Sequence, residues 1–197
     1  MEITAAMVKE LRSKSGAGIM ECKGALKEAN GDVEEAVTFL RKKGLAKAGK
    51  KSGRETGDGA IGTYIHPGNK IGVMVQLHCE TDFVANTPDF QDLLKDVCMH
   101  IAAAKSRYIT REEVTQEDLD KEREIFAHQA KESGKPENII DKIVDGKMEK
   151  FFEENCLLDQ PFIKEPGITV GEMIKQRIAI LGENITVGNF TRFEISK

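Results

Sequence analysis

No apolar run in this sequence approaches the roughly 18 residues of a membrane-spanning helix, and tryptophan is absent altogether. The first absence excludes a helical membrane protein. The four cysteines, Cys22, Cys79, Cys98 and Cys156, are scattered and contain no C-x-x-C pair. A structural zinc site draws on converging ligands, usually in closely spaced pairs, so none is expected, and the thiols should be reduced and buried. Neither G-x-x-x-x-G-K-[ST] nor a G-x-G-x-x-G between a strand and a helix occurs. Gly16-Ala17-Gly18 lacks the preceding strand of a phosphate cradle and reads as a turn between helices. The histidines, His66, His78, His100 and His128, form no H-E-x-x-H and no close pair. His78 and Cys79 are neighbours, but neighbours in a strand point to opposite faces, which makes a nucleophilic dyad awkward. No catalytic residue, cofactor or metal follows from these residues, and an enzyme is not the expected reading.

What is present is the composition of a soluble globular protein, 40% hydrophobic and 31% charged over 197 residues. Met1-Glu2-Ile3-Thr4 opens neither a secretory signal nor an Arg/Ser-rich presequence, so a cytoplasmic location is expected. The net charge of −4 conceals an asymmetry. Residues 1–54 carry 12 Lys/Arg against 7 Asp/Glu, a net of +5, and the remainder carries 17 against 26, a net of −9. That contrast places a boundary near residue 54.

The pattern predicts an α+β protein. Residues 1–44 read as a three-helix bundle. Thr4 caps the first helix, with Ile3 and Val8 as a hydrophobic staple. Ile19, Cys22, Leu26 and Ala29 mark the second, and Asp32 with Glu35 forms a capping box for the third, which Gly44 is expected to stop. Residues 45–58 read as a linker, overlapping a basic stretch, 41–54, that is expected to be mobile. Such a stretch suits RNA phosphates as well as a plain linker, though it lacks interleaved aromatics. Residues 59–197 read as a core with an antiparallel sheet. Ala60–His66 and Ile71–Cys79 alternate as paired strands around Pro67-Gly68-Asn69-Lys70. Asp89–Lys105 is an amphipathic helix, and 115–156 is an inserted helical hairpin turning at Ser133-Gly134-Lys135-Pro136. Leu158–Ile163 reads as a strand, Thr169–Ile180 as a helix and Asn184–Ile195 as a final strand.

One loop stands apart. Glu80-Thr81-Asp82-Phe83-Val84-Ala85-Asn86 follows a strand that should be buried and precedes a new helix at Thr87-Pro88. Two readings stay open from the residues alone. Either Asp82 caps a turn while Phe83 packs inward, or the segment is an exposed acidic-aromatic tip of the kind that anchors binding.

Three stretches of this chain resemble translation elongation factor Ts. The first is Leu11-Arg12-Ser13-Lys14-Ser15-Gly16-Ala17-Gly18-Ile19-Met20-Glu21-Cys22-Lys23-Gly24-Ala25-Leu26. The second is Val75-Gln76-Leu77-His78-Cys79 continuing through Glu80–Asn86. The third runs from Gln160-Pro161-Phe162 through Thr169-Val170-Gly171 and Gly182-Glu183-Asn184-Ile185 to Arg192-Phe193-Glu194. Four positions depart from the family pattern: Ser15 replaces Thr, Gly24 a longer polar residue, His78 an Asn and Gln76 a Glu. The resemblance implies a guanine-nucleotide exchange factor that binds elongation factor Tu in its GDP form. It further implies that Thr81, Asp82, Phe83 and Val84 reach the partner's magnesium and nucleotide site, with Phe83 wedged between helices of the G domain. Arg12, Ile19 and Met20, on a UBA-like N-terminal bundle, are implied to dock elsewhere on that domain. The chain is similar to short family members with one core subdomain, which implies a homodimer. No membrane and no specific nucleic acid is implied as a partner.

Overall fold

A computed structural model of the chain describes residues 2–134 and 136–195. Chain order is α1 (Ala5–Ser15), α2 (Ile19–Glu28), α3 (Val33–Gly49), β1 (Asp58–Ile65), β2 (Ile71–Cys79), α4 (Asp82–Ala85), α5 (Pro88–Ala104), α6 (Gln116–Glu132), α7 (Glu137–Asn155), β3 (Pro161–Phe162), β4 (Glu165–Thr169), α8 (Val170–Leu181) and β5 (Ile185–Glu194). The result is the expected α+β class, with N-terminal helices, an antiparallel sheet of order β1-β2-β5, and a small β3-β4 pair. The chain divides into two compact units. One comprises residues up to Ala60 with Leu77–Leu93 and Ile174–Thr186, and the other Ile61–Gln76, Leu94–Met173 and residues from Val187.

In the first unit, α1 to α3 enclose Leu11, Cys22, Ala25, Leu26, Ala29 and Ala36, flanked by Met7, Val8, Val37 and Leu40. Local chemistry sets the helix ends. The Thr4 hydroxyl accepts the Met7 N–H at 3.3 Å, and Asp32 accepts that of Glu35 at 2.9 Å. Gly16 ends α1 in the left-handed conformation, φ 66°, which a residue with a Cβ adopts at a cost. Helix α3 overturns one expectation, because it passes through Gly44 to Gly49. Glycine in a helix costs about 1 kcal/mol relative to alanine, but at position 44 a Cβ would stand only 3.3 Å from the Ala179 methyl. Gly44 therefore serves a close approach to α8 instead of a stop. The basic stretch 41–54 is accordingly helical over most of its length, not a mobile linker.

In the second unit, β1 and β2 turn at Gly68 and Asn69, both at positive φ, and His66 N–H donates to Ile71 O at 2.9 Å. Gly62 faces Leu94 and Cys98, while Ile61 and Ile65 project from the opposite face of the strand and are exposed. Arg192 binds the Ala102 carbonyl through Nε and Nη2, both at 3.2 Å. The helical hairpin forms as expected. Ala130, Ile140, Val144, Met148 and Phe151 make its buried seam, and Phe126 and Phe152 pack against it. Lys135 of the expected turn lies outside the described residues. The strand expected over Leu158–Ile163 shrinks to Pro161–Phe162, because Gln160 turns its side chain to the Glu154 carbonyl and its N–H back to Cys156. Its partner β4 was not expected. Helix α8 opens with a reciprocal box in which Thr169 Oγ1 accepts Glu172 N–H at 3.1 Å and Glu172 accepts Thr169 N–H at 3.3 Å.

Candidate functional site

The segment after β2 is built in the first unit. Cys79 closes the strand fully buried, and its thiol donates to the Thr81 carbonyl at 3.1 Å. Burial, followed by the nearby Glu183 charge, raises its pKa. The thiol stays protonated at neutral pH, the reverse of an activated nucleophile.

Thr81 is the N-cap of the single-turn helix α4. Its backbone is extended (φ −138°, ψ 156°) and its hydroxyl accepts the Val84 N–H at 3.5 Å. The cap is therefore Thr81 and not Asp82, which corrects one of the two readings left open by the residues. The other half of that reading falls as well. Phe83 is 82% exposed and only Ala85 of the turn is buried. The turn ends as firmly as it starts. Asn86 Nδ2 donates to Asp82 O at 2.8 Å, Thr87 Oγ1 to Val84 O at 2.8 Å and Gln91 Nε2 to Ala85 O at 2.8 Å. Thr87 also caps α5 by accepting Phe90 N–H at 3.3 Å, and the Phe90 ring is fully buried. The helical turn presents Asp82 and Phe83 to solvent from a backbone fastened on both sides.

The entry side is held by residues from far along the chain. The Glu183 carboxylate accepts Glu80 N–H at 3.1 Å, Thr81 N–H at 3.0 Å and the Thr81 hydroxyl at 2.7 Å. Glu80 reciprocates by accepting Asn184 N–H at 2.6 Å. Arg54 reaches the Glu80 carboxylate at 3.4 Å, Lys51 binds the Gly182 carbonyl, and Asn184 Nδ2 donates to Arg54 O at 2.8 Å. The Asn184 hydrogen bond, with Arg54 and Lys51 adding to it, holds the Glu80 carboxyl below the usual carboxylate range. Asn184 is itself buried, and all its polar atoms named here are satisfied.

Arg12, Ile19 and Met20 lie in α1 and the first turn of α2 in the same unit. All three are exposed, Ile19 at 57% and Met20 at 78%. Large apolar side chains so open to water are candidates for partner contact. Thr81, Asp82, Phe83 and Val84 are thus brought together on one turn, while Arg12, Ile19 and Met20 form a second set on the helices. Glu183 and Asn184 were not read as site residues from the sequence, and Glu80, Lys51 and Arg54 only as members of the loop 80–86 and the basic stretch 41–54. The run Gly182-Glu183-Asn184-Ile185 was visible only as a pattern, without its partner at Glu80-Thr81. Among the described residues, no group of three or more His, Cys, Asp or Glu side chains converges as a metal site.

A family model described as Elongation factor TS matches residues 2–197. The chain is 55% identical to Elongation factor Ts of Fervidobacterium nodosum over 197 residues, covering 100% of both chains. It is 55% identical to Elongation factor Ts of Solibacter usitatus over 194 residues, 98% of this chain and 92% of the relative. It is also 54% identical to Elongation factor Ts of Thermosipho melanesiensis over 195 residues, 99% of this chain and 100% of the relative.

Proposed function

The chain belongs to the elongation factor Ts family, nucleotide-exchange factors for elongation factor Tu in translation elongation, and from that premise we propose that it drives GDP release with the turn Thr81–Val84. The observation that carries this reading is the exposure of Phe83 on a turn whose backbone is tied down at both ends. A rigidly presented aromatic is an effective anchor because little conformational freedom is lost when it docks. Phe83 inserts between helices of the partner's G domain, and its burial there contributes roughly 1.5–3 kcal/mol towards holding a distorted nucleotide site. Asp82 arrives beside it as a carboxylate. GDP affinity depends partly on Mg²⁺ neutralising phosphate charge, so a competing carboxylate that disturbs the metal's coordination loosens GDP.

Arg12, Ile19 and Met20 supply a second contact from the N-terminal helices. The +5 charge of residues 1–54 favours an acidic docking surface. The protein acts as a cytoplasmic homodimer and does no covalent chemistry. Support for the dimer comes from the second unit, whose strands leave Ile61, Ile65, Met74 and Phe193 exposed, with Ile195 exposed just beyond β5. The rival reading, RNA binding through 41–54, is weakened by the occupation of three of its seven cations: Lys47 pairs with Glu21, Lys51 with the Gly182 carbonyl and Arg54 with Glu80. The helices of the described residues include none long and apolar enough to cross a membrane.

The test uses elongation factor Tu loaded with fluorescent GDP. Adding the purified chain should accelerate release, and Phe83→Ala should remove most of the acceleration with the circular dichroism unchanged. Release at the unassisted rate in the presence of stoichiometric chain sinks the reading.

A further inference from the structure

A four-residue helix does not hold itself together, since its nucleation cost exceeds what one turn of hydrogen bonds returns. Something outside α4 must fix the direction in which Asp82 and Phe83 point. The Thr81 hydroxyl is the local device, but it caps the Val84 N–H only when its own hydrogen is directed elsewhere. Glu183 Oε1, at 2.7 Å, takes that hydrogen, and Oε2 takes the N–H groups of Glu80 and Thr81. One carboxylate therefore sets the rotamer of the cap and the path of the backbone entering it. Its own position is fixed in turn by Asn184 N–H on Glu80 and by Lys51 on the Gly182 carbonyl.

We infer that Glu183 is a positioning residue for nucleotide exchange, acting through Thr81 to hold the Asp82–Phe83 turn ready for the partner. The inference rests on the reading of Thr81–Val84 as the exchange element. Glu183 touches neither partner nor nucleotide in this scheme. Its loss leaves the residues of the turn present but free to sample other directions, so docking through Arg12, Ile19 and Met20 continues while the committed step slows.

The experiment measures GDP release from elongation factor Tu against concentration of the intact chain, for wild type, Glu183→Ala, Glu183→Gln and Phe83→Ala. Loss of one charge-assisted hydrogen bond corresponds to about a tenfold or greater fall in maximal release rate. For Glu183→Ala the half-saturating concentration should stay within about threefold, the signature of an interaction felt after binding. Glu183→Gln, which keeps an acceptor oxygen and the side-chain shape, should recover part of the rate. Amide hydrogen exchange should speed up at Glu80–Val84 alone. A maximal rate within about twofold of wild type for Glu183→Ala, alongside a disabled Phe83→Ala, overturns the inference. So does accelerated exchange spreading across the first unit, which marks a merely structural carboxylate. Should Glu183→Ala not fold, Glu183→Leu, which fills the space without an acceptor, is judged by the same criteria. An active Phe83→Ala defeats instead the underlying assignment of the turn, so the two failures are distinct.

Discussion

His100 and Gln160 share a hydrogen bond of 2.9 Å in the interior of the second unit, the imidazole Nε2–H donating to the amide Oε1. The tautomer follows from the other nitrogen. Nδ1 faces the Ile163 N–H at 3.3 Å and can only accept, so the ring is neutral with its proton on Nε2. Ser106 donates to the same Gln160 oxygen, and Gln160 Nε2 donates to the Glu154 carbonyl at 2.7 Å. Every partner of the ring is neutral and His100 is fully buried.

An acid-dependent loss of stability follows. Burial pushes the His100 pKa down, against a smaller upward effect of Gln160. The unfolded chain therefore takes up a proton at higher pH than the folded one does. Stability is complete above the unfolded value, about 6.5, and declines as pH falls below it. Thermal unfolding at pH 7 and at pH 5 should show a drop for wild type that His100→Gln reduces, because Gln can still donate to Gln160 and accept from Ile163. Equal drops for the two chains would remove His100 from the account.

Leu11 and Met20 should separate folding from binding in the N-terminal helices. Leu11 has no exposed surface and sits in a core of few side chains. Leu11→Ala should cost about 2–5 kcal/mol, read as faster amide exchange across α1 to α3. Met20 is largely exposed, so Met20→Ala should change stability by less than about 0.5 kcal/mol while weakening capture of elongation factor Tu in a pull-down titration.

Gly62 allows β1 to lie against α5. A Cβ there would fall 2.5 Å from Leu94 Cγ and 3.0 Å from Cys98 Sγ. Gly62→Ala should destabilise by about 1–3 kcal/mol. Adding Leu94→Ala should relieve part of that cost, so the double variant loses less than the two single losses combined, as a denaturant-unfolding cycle would show.

Phe193 tests the dimer. It is 71% exposed on β5, in the same unit as Ile61, Ile65 and Met74. Sedimentation velocity should give a dimer for wild type and a single chain for Phe193→Asp, with little change in melting of the isolated protomer. A wild-type chain that sediments as a monomer at every concentration rules out this use of the face.

Much of the fold was legible because its signals are local. Thr4, Asp32 and Thr169 announce helix starts through caps that close within three residues. Pro67-Gly68-Asn69 announces a hairpin through backbone freedom at two of them. What escaped depends on distant partners. Gly44 looked like a stop because its use, a close approach to Ala179, cannot be seen in its neighbours. Strand β4 hid behind Pro166-Gly167, residues that ordinarily break a strand, and is short enough for an edge pairing to tolerate them. At the candidate site, the loop after β2 stood out in the sequence, but its residues alone left open whether Phe83 packed inward, and the structure exposes it. The carboxylate that binds Thr81 lies 102 residues away from it.

The four cysteines give the molecule its own set of opening sensors. All are free and buried: Cys22 in the N-terminal bundle, Cys79 beneath the turn, Cys98 in α5 and Cys156 at the end of α7. Burial raises the Cys79 thiol and carries Cys98 and Cys156 up to about 11. Alkylation requires an exposed thiolate, so each sulfur reacts only when its own surroundings part. A pulse of iodoacetamide followed by peptide mass analysis would then rank four regions by how often they open, with no residue substituted.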